Sequence, residues 1–264
     1  MDNLLIYSQK FKSLPEMFGF GDKGNKFSVI AGPCSVESHE QLETVAQALV
    51  KNNLRFIRGG AYKPRTSPYS FQGLGVEGLK ILSEVKTRYG LLAVSELMDP
   101  RDIGVLEKYT DILQIGSRNM QNFSLLKEAG KSKHPVLLKR GMMSTVGEFL
   151  SAAEYIVSNG NKNIILCERG IRTFETSTRF TLDFACIALI KQETSLPVIA
   201  DLSHSLGRTD IIRPMAKAVE SLGADGIMVE AHPCPEKALS DQNKQLNLDQ
   251  LGQLIDSLGK GKGE

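Results

Sequence analysis

Eight short, almost unbroken apolar runs recur along the chain: FSVIAGPCS (27–35), FIRGGAY (56–62), LLAVSEL (91–97), ILQIGS (112–117), PVLLKR (135–140), IILCER (164–169), PVIADLSH (197–204) and GIMVEAH (226–232). A strand with one wet face alternates apolar and polar residues; continuous runs mark strands covered on both faces, as in a parallel sheet. Amphipathic stretches separate them, among them SHEQLETVAQALVKNN (38–53), TVGEFLSAAEYIVSNG (145–160) and RTDIIRPMAKAVESLG (208–223). Gly160 and Gly223 stand where a left-handed residue would close the last two helices. LDQLGQLIDSLG (248–259) adds a final helix.

Eight strand-then-helix units in about 250 residues predict a single α/β domain, a (β/α)8 barrel over 27–260. The rival architecture is a doubly wound open sheet, but no GxGxxG turn opens the first helix. Residues 1–26 read as a short lead-in, and the tail GKGKGE is expected to fray.

Composition narrows the function classes. With 32 Lys+Arg against 30 Asp+Glu the formal charge is +2, which excludes a generally basic nucleic-acid binder and an acidic tail. There is no apolar window of about 18 residues, so no membrane-spanning helix is expected. The N-terminal MDNLLIYSQKFKSLPEMF lacks a signal-peptide core. Cys34, Cys167, Cys186 and Cys234 form no CxxC pair and fit a reducing cytoplasm better than a disulfide framework.

In a barrel, chemistry gathers at the C-terminal ends of the strands. There this chain carries Cys34, Arg58 with Lys63 and Arg65, Glu96, Arg118, Lys139 with Arg140, Glu168 with Arg169, His204, and Glu230 with His232. A cationic mouth on a nearly neutral protein points to small polyanions, phosphates and carboxylates above all. Any one of these cations could equally be a solvated loop residue. Cys34, His204 and Glu230 end strands 1, 7 and 8, which adjoin once a barrel closes, and Asp241 follows on the next loop. A thiolate, an imidazole and two carboxylates suit a borderline divalent ion. Cys34 as a small buried hydrophobe and His204 as a core histidine remain open on the residues alone.

At these same positions the chain resembles the family of 3-deoxy-D-arabino-heptulosonate 7-phosphate (DAHP) synthases and their relatives, the 3-deoxy-D-manno-octulosonate 8-phosphate (KDO8P) synthases. The segments that carry the resemblance are IAGPCSVES (30–38), RGGAYKPRTSPYSFQGLG (58–75), QIGSRNMQN (114–122), VLLKRGM (136–142), ILCERGIRTFE (165–175), IADLSHSLGR (199–208) and VEAHPCPEKALSD (229–241). KPRTS at 63–67 resembles the DAHP-synthase form; the octulosonate enzymes tend to carry an Ala-Asn-Arg-Ser type of sequence there.

The resemblance implies a metal-dependent transferase that condenses phosphoenolpyruvate (PEP) with erythrose 4-phosphate, the entry step of the shikimate pathway to chorismate and the aromatic amino acids. Carried over by position, Cys34, His204, Glu230 and Asp241 match the ligands of one divalent ion such as Mn, Fe, Co, Zn or Cd. Arg58, Lys63, Arg118, Lys139, Arg169 and His204 match residues around PEP. Arg65, Thr66 and Ser67 match the loop that receives the phosphate of erythrose 4-phosphate. Lys63, at the start of that loop, is the first choice for general acid, with His204 beside the reacting atoms. Gln242 departs from the small residue that many relatives have after the Asp ligand. Family members of this type are usually tetramers, and residues 1–26 are too few for the extra domain of feedback-regulated relatives.

Three other readings compete. A KDO8P synthase would use arabinose 5-phosphate, against which KPRTS and Cys34 both argue. A Schiff-base aldolase would use Lys139, but no acid-base partner is evident beside it in sequence. A non-catalytic phosphosugar-binding barrel would have no use for four metal ligands. Elsewhere, Cys186 reads as core, His39 as first-turn helix, His134 as structural or exposed, and His232 as a candidate neighbour of the site. Cys234 is either an exposed loop thiol or within disulfide reach of Cys34.

Overall fold

In the computed structural model, residues 4–19, 27–65 and 67–258 are described. Two short helices, α1 (Leu5–Ser8) and α2 (Leu14–Met17), precede the first strand. The alternation then runs β1 (Ser28–Gly32), α3 (His39–Lys51), β2 (Phe56–Arg58), α4 (Val76–Tyr89), β3 (Leu92–Glu96) and α5 (Ile103–Tyr109). It continues with β4 (Ile112–Ile115), α6 (Phe123–Ala129), β5 (Val136–Lys139), α7 (Val146–Val157), β6 (Ile164–Glu168) and α8 (Phe184–Glu193). The last units are β7 (Val198–Asp201), the short α9 (Leu202–Leu206), α10 (Ile212–Ser221), β8 (Gly226–Glu230) and α11 (Leu248–Ser257). All eight strands pair in parallel and in chain order, and β8 closes on β1, as the run pattern predicts.

Local chemistry sets the helix boundaries. Ser38 caps α3 through the Gln41 amide, and α3 then buries Leu42, Val45, Ala46 and Leu49, one face at helical spacing. Thr145 with Glu148, and Asn247 with Gln250, form capping boxes on α7 and α11. Gly160 and Gly223 take positive φ just past α7 and α10, where the sequence placed helix ends.

The apolar residues split into two concentric cores. The outer one lies between sheet and helices; the inner one fills the barrel with Ile30, Phe56, Val94, Ile112, Leu137, Ile165, Ile199 and Met228. The lead-in closes the lower end of the inner core: Leu14 is fully buried in it, and Phe18 meets Phe56 edge-on with centroids 5.8 Å apart. Glu154 on α7 holds the start of α1 by accepting the Leu5 and Ile6 amides, each at 3.1 Å.

Candidate active site

Strand side chains alternate faces, so one step of two residues up an inward-facing row leads from the inner core to the mouth. On six strands that single step turns apolar into polar: Phe56 to Arg58, Val94 to Glu96, Ile112 to Gln114, Leu137 to Lys139, Ile199 to Asp201, and Met228 to Glu230. These polar residues crowd a space that strand β1 keeps open with Gly32. A Cβ there would lie 2.1 Å from the Arg58 carbonyl oxygen, and φ is 151°.

The same alternation corrects two sequence readings. Arg140 and Glu168 sit one residue out of phase, so they face the helices: Arg140 Nη1 donates to Glu168 Oε2 (3.0 Å) and Asp183 Oδ2 (2.8 Å). They tie β5 and β6 to the start of α8 and take no part in the cleft. His204 does not end β7. The strand stops at Asp201, whose carboxylate accepts the His204 amide (3.0 Å) and caps α9, and His204 is carried on that helix.

Four candidate ligands converge at β1, β7 and β8. Ligand atoms of Cys34, Glu230 and Asp241 all lie within 4.8 Å of one another. His204 Nε2 stands 3.4 Å from Glu230 Oε1 and 3.8 Å from Asp241 Oδ2. Its other nitrogen, Nδ1, is 2.8 Å from Asp201 Oδ2, which fixes the ring with Nε2 toward the cluster. Burial pushes the imidazole toward its neutral form, against the pull of Asp201 and Glu230. Burial also opposes the charge on Asp201, yet His204 and Lys139 outweigh it and hold the carboxyl well below the usual range. Burial, then Glu230, lifts the Cys34 thiol to about 11.

These residues fit a divalent ion. Glu230 Oε2 is buried with no hydrogen-bond partner among the described residues, a costly state for a carboxylate oxygen that a cation would relieve. Sulfur, nitrogen and oxygen donors together match a borderline transition metal.

Asp241 reaches the cluster on a strapped loop. Its backbone is left-handed (φ 50°, ψ 40°), a conformation a non-glycine residue keeps only when its surroundings demand it. Buried Gln245 supplies part of that demand: its Oε1 accepts the Cys34 amide (2.9 Å) and its Nε2 donates to the Ser240 carbonyl (2.9 Å). Ser35 and Ser240 hydroxyls meet at 2.7 Å, and Glu37 accepts the Leu239 amide (2.9 Å). Lys244 Nζ holds Asp241 Oδ1 at 2.7 Å. Gln242 bonds the Ala238 carbonyl (2.9 Å), so its bulk stays clear of the cluster. His232 faces Glu37 (3.4 Å) and the Cys234 amide, inside the strap rather than the cleft. Cys234 is half-buried and donates to Glu236 (2.8 Å), whereas Cys34 is buried against Asp241 and Lys63.

The cations divide into two kinds. Arg58 Nη1 donates to Glu230 (2.8 Å), Lys139 pairs with Asp201, and Lys63 Nζ lies 2.8 Å from the Cys34 carbonyl and 3.0 Å from its sulfur. Lys139 is thereby committed to an ion pair with a residue 62 positions away, a partner invisible to a local reading of the sequence. Arg65, Arg118 and Arg179 make no ion pair among the described residues. Among the described residues Arg169 bonds only carbonyls, those of Gly170 (3.4 Å) and His204 (3.3 Å), and its guanidinium lies 4.0 Å from the centre of the Phe180 ring. Burial lowers its pKa to about 10, Asp201 opposing.

These groups wall one cleft with two lobes. The inner lobe is lined by Arg58, Gln114, Lys139 and Arg169; the outer, of about 300 Å³, by Pro64, Arg65, Ser67, Ser70 and Asp241. Lys63, Glu96, Arg118, Arg179 and His204 line both. Thr66 lies outside the described residues. Sequence reasoning missed Asp201, Gln114, Gln245 and Arg179. The two-residue step would have found the first two; the others sit on loops without a period.

Residues 16–261 match the DAHP synthetase I family. The phospho-2-dehydro-3-deoxyheptonate aldolase of Thermotoga maritima is 49% identical over 258 residues, 97% of this chain and 76% of that protein. A crystal structure of the Thermotoga maritima DAHP synthase matches with TM-score 0.86 at 51% identity, over 89% of this chain and 70% of that one. A truncated form of the Thermotoga maritima synthase matches at 0.82 and 47%, over 89% and 87%. The 2-dehydro-3-deoxyphosphooctonate aldolase of Desulfatibacillum aliphaticivorans is 30% identical over 253 residues, 89% of this chain and 92% of that protein.

Proposed function

The chain belongs to the DAHP synthetase I family, and on that premise we propose that it condenses PEP with erythrose 4-phosphate to DAHP and inorganic phosphate. The observation that carries the reading is the pairing of a four-ligand cluster with a two-lobed cleft in which Arg65, Arg118 and Arg179 have no ion-pair partner among the described residues.

In this reading the inner lobe takes PEP. Arg58, Lys63, Arg118, Lys139 and Arg169, with His204 beside them, surround its carboxylate and phosphate, the arginines forking onto oxyanions and the lysines acting as point charges. The outer lobe takes erythrose 4-phosphate, whose phosphate is received by Arg65, Thr66 and Ser67. One divalent ion, Mn, Fe, Co, Zn or Cd, held by Cys34, His204, Glu230 and Asp241 would supply Lewis-acid polarisation of the aldehyde.

C3 of PEP attacks the aldehyde carbon, forming the new C–C bond, and the aldehyde oxygen takes a proton. Lys63 is suited to deliver it. Its Nζ donates to the Cys34 carbonyl (2.8 Å), which fixes it beside the cluster, and it lines both lobes. Water adds at C2 of the former PEP, and C–O cleavage of the resulting hemiketal releases phosphate. Asp201 holds His204 and Lys139 in place throughout.

The same reading takes 27–260 as the catalytic barrel behind a lead-in, working in the cytoplasm as a homotetramer. Among the described residues no helix is long and apolar enough to cross a membrane.

The test is phosphate release from PEP with erythrose 4-phosphate or arabinose 5-phosphate, each with and without chelator. Release with erythrose 4-phosphate alone, lost on chelation and restored by a divalent metal, is expected. Release with arabinose 5-phosphate alone would make the enzyme an octulosonate synthase.

A further inference from the structure

Arg179 belongs to neither the metal cluster nor the motifs that carry the family resemblance, yet it lines both lobes of the cleft. It is held there by its backbone: the Arg179 amide donates to the Leu206 carbonyl (2.9 Å) and the Phe180 amide to Ser205 (2.8 Å), on the helix that carries His204. The approach is close enough to require a glycine on the facing turn. A Cβ on Gly207, itself at φ +71°, would lie 2.6 Å from the Arg179 Cβ.

The side chain is not spoken for. Among the described residues no carboxylate pairs with it, and its one recorded side-chain partner is the Phe180 ring, 5.4 Å from the guanidinium. The same ring carries Arg169 at 4.0 Å and is itself buried, so one aromatic platform presents two guanidinium groups to the inner lobe. Two neighbouring cations, neither paired with a carboxylate among the described residues, repel each other, and a dianion placed against both relieves the repulsion.

We propose that Arg179 is a further substrate-binding residue, which joins Arg169 on the phosphoryl group of PEP and stays with it as that group leaves as inorganic phosphate. The proposal rests on the inner lobe being the PEP site.

The metal-loaded enzyme with Arg179→Met and Arg179→Lys tests it, with Arg172→Met as a control on the same loop outside the cleft. The readouts are KM for each substrate, the inhibition constant of inorganic phosphate against PEP, and calorimetric binding of PEP without co-substrate. Removing one charge-assisted contact should raise the KM for PEP and the phosphate inhibition constant together, on the order of tenfold. The Lys variant should fall between wild type and Met, with the KM for erythrose 4-phosphate and the Tm nearly unmoved. An unchanged KM for PEP, a rise confined to erythrose 4-phosphate, or a Lys variant no better than Met would overturn the proposal. A wild-type enzyme that binds PEP but releases no phosphate with erythrose 4-phosphate would defeat the proposed reaction instead, and calorimetry would still judge Arg179.

Discussion

The two walls of the cleft handle charge in opposite ways. On the metal side buried charges answer one another: Arg58 with Glu230, Lys139 with Asp201, Asp201 with His204, Lys244 with Asp241. The other group, Arg65, Arg118 and Arg179, makes no ion pair among the described residues, and Arg169 with it bonds carbonyls. The first wall spends its electrostatics within the protein and gains fixed geometry. The second leaves its electrostatics to a ligand, which is how several cations can share a cleft without cancelling the attraction they exert on an anion.

Metal removal should separate the walls most sharply. A chelator should abolish turnover, a divalent transition metal should restore it, and Cys34→Ala should fold yet stay inactive at ordinary metal concentrations. Calorimetric binding of PEP should persist in the stripped enzyme, because the arginine wall does not need the ion. Full turnover after stripping would remove the metal assignment.

Next in size is Asp201→Ala. It strands Lys139 and His204 without their buried anion, and breaking such a network costs about 3–5 kcal/mol, read by denaturant unfolding. Arg118→Ala, on the unpaired wall, should move stability by no more than about 0.5 kcal/mol while raising the KM for PEP. Equal losses from the two variants would dissolve the distinction between the walls.

How much of this was legible in the sequence follows from the same geometry. The eight strands were legible because each is buried on both faces and so reads as an unbroken apolar run, Ser28–Gly32 and Gly226–Glu230 included. That property also hides which residues face inward. With no polar face to mark the alternation, Arg140 and Glu168 looked equivalent to Lys139 and Arg169, although they point to the helices. Asp201 went unread for a related reason: it continues an apolar run, and its partners Lys139 and His204 come from another strand and a later turn. The ligand set, by contrast, was suggested by strand order, since β8 closing on β1 brings Cys34 beside Glu230. The strap over Asp241 had no sequence signature, because Gln245 acts through a bond to an amide 211 residues away.

Within the arginine wall the two lobes can be told apart by Arg65, which lines only the outer one. Arg65→Ala should raise the KM for erythrose 4-phosphate far more than that for PEP, a loss of about 2–3 kcal/mol for one charge-assisted contact to phosphate. Equal effects on both substrates would merge the lobes into one anion site.

The smallest effect tests whether the metal wall owes its geometry to its strap. Gln245→Met keeps the buried volume but removes the acceptor for the Cys34 amide and the donor to the Ser240 carbonyl, so two ligands from distant loops lose their shared tie. The orphaned amide should lower stability by about 1–2 kcal/mol. Losing a support of this kind should weaken metal binding about tenfold. Equilibrium dialysis against cobalt, alongside the Tm of the metal-free protein, separates the two losses. Gln242→Ala, which removes only a bond to the Ala238 carbonyl inside the same loop, is the control. If Gln245→Met binds cobalt as tightly as wild type, the left-handed Asp241 holds its place without the strap, and the fixed geometry of this wall comes from its ion pairs alone.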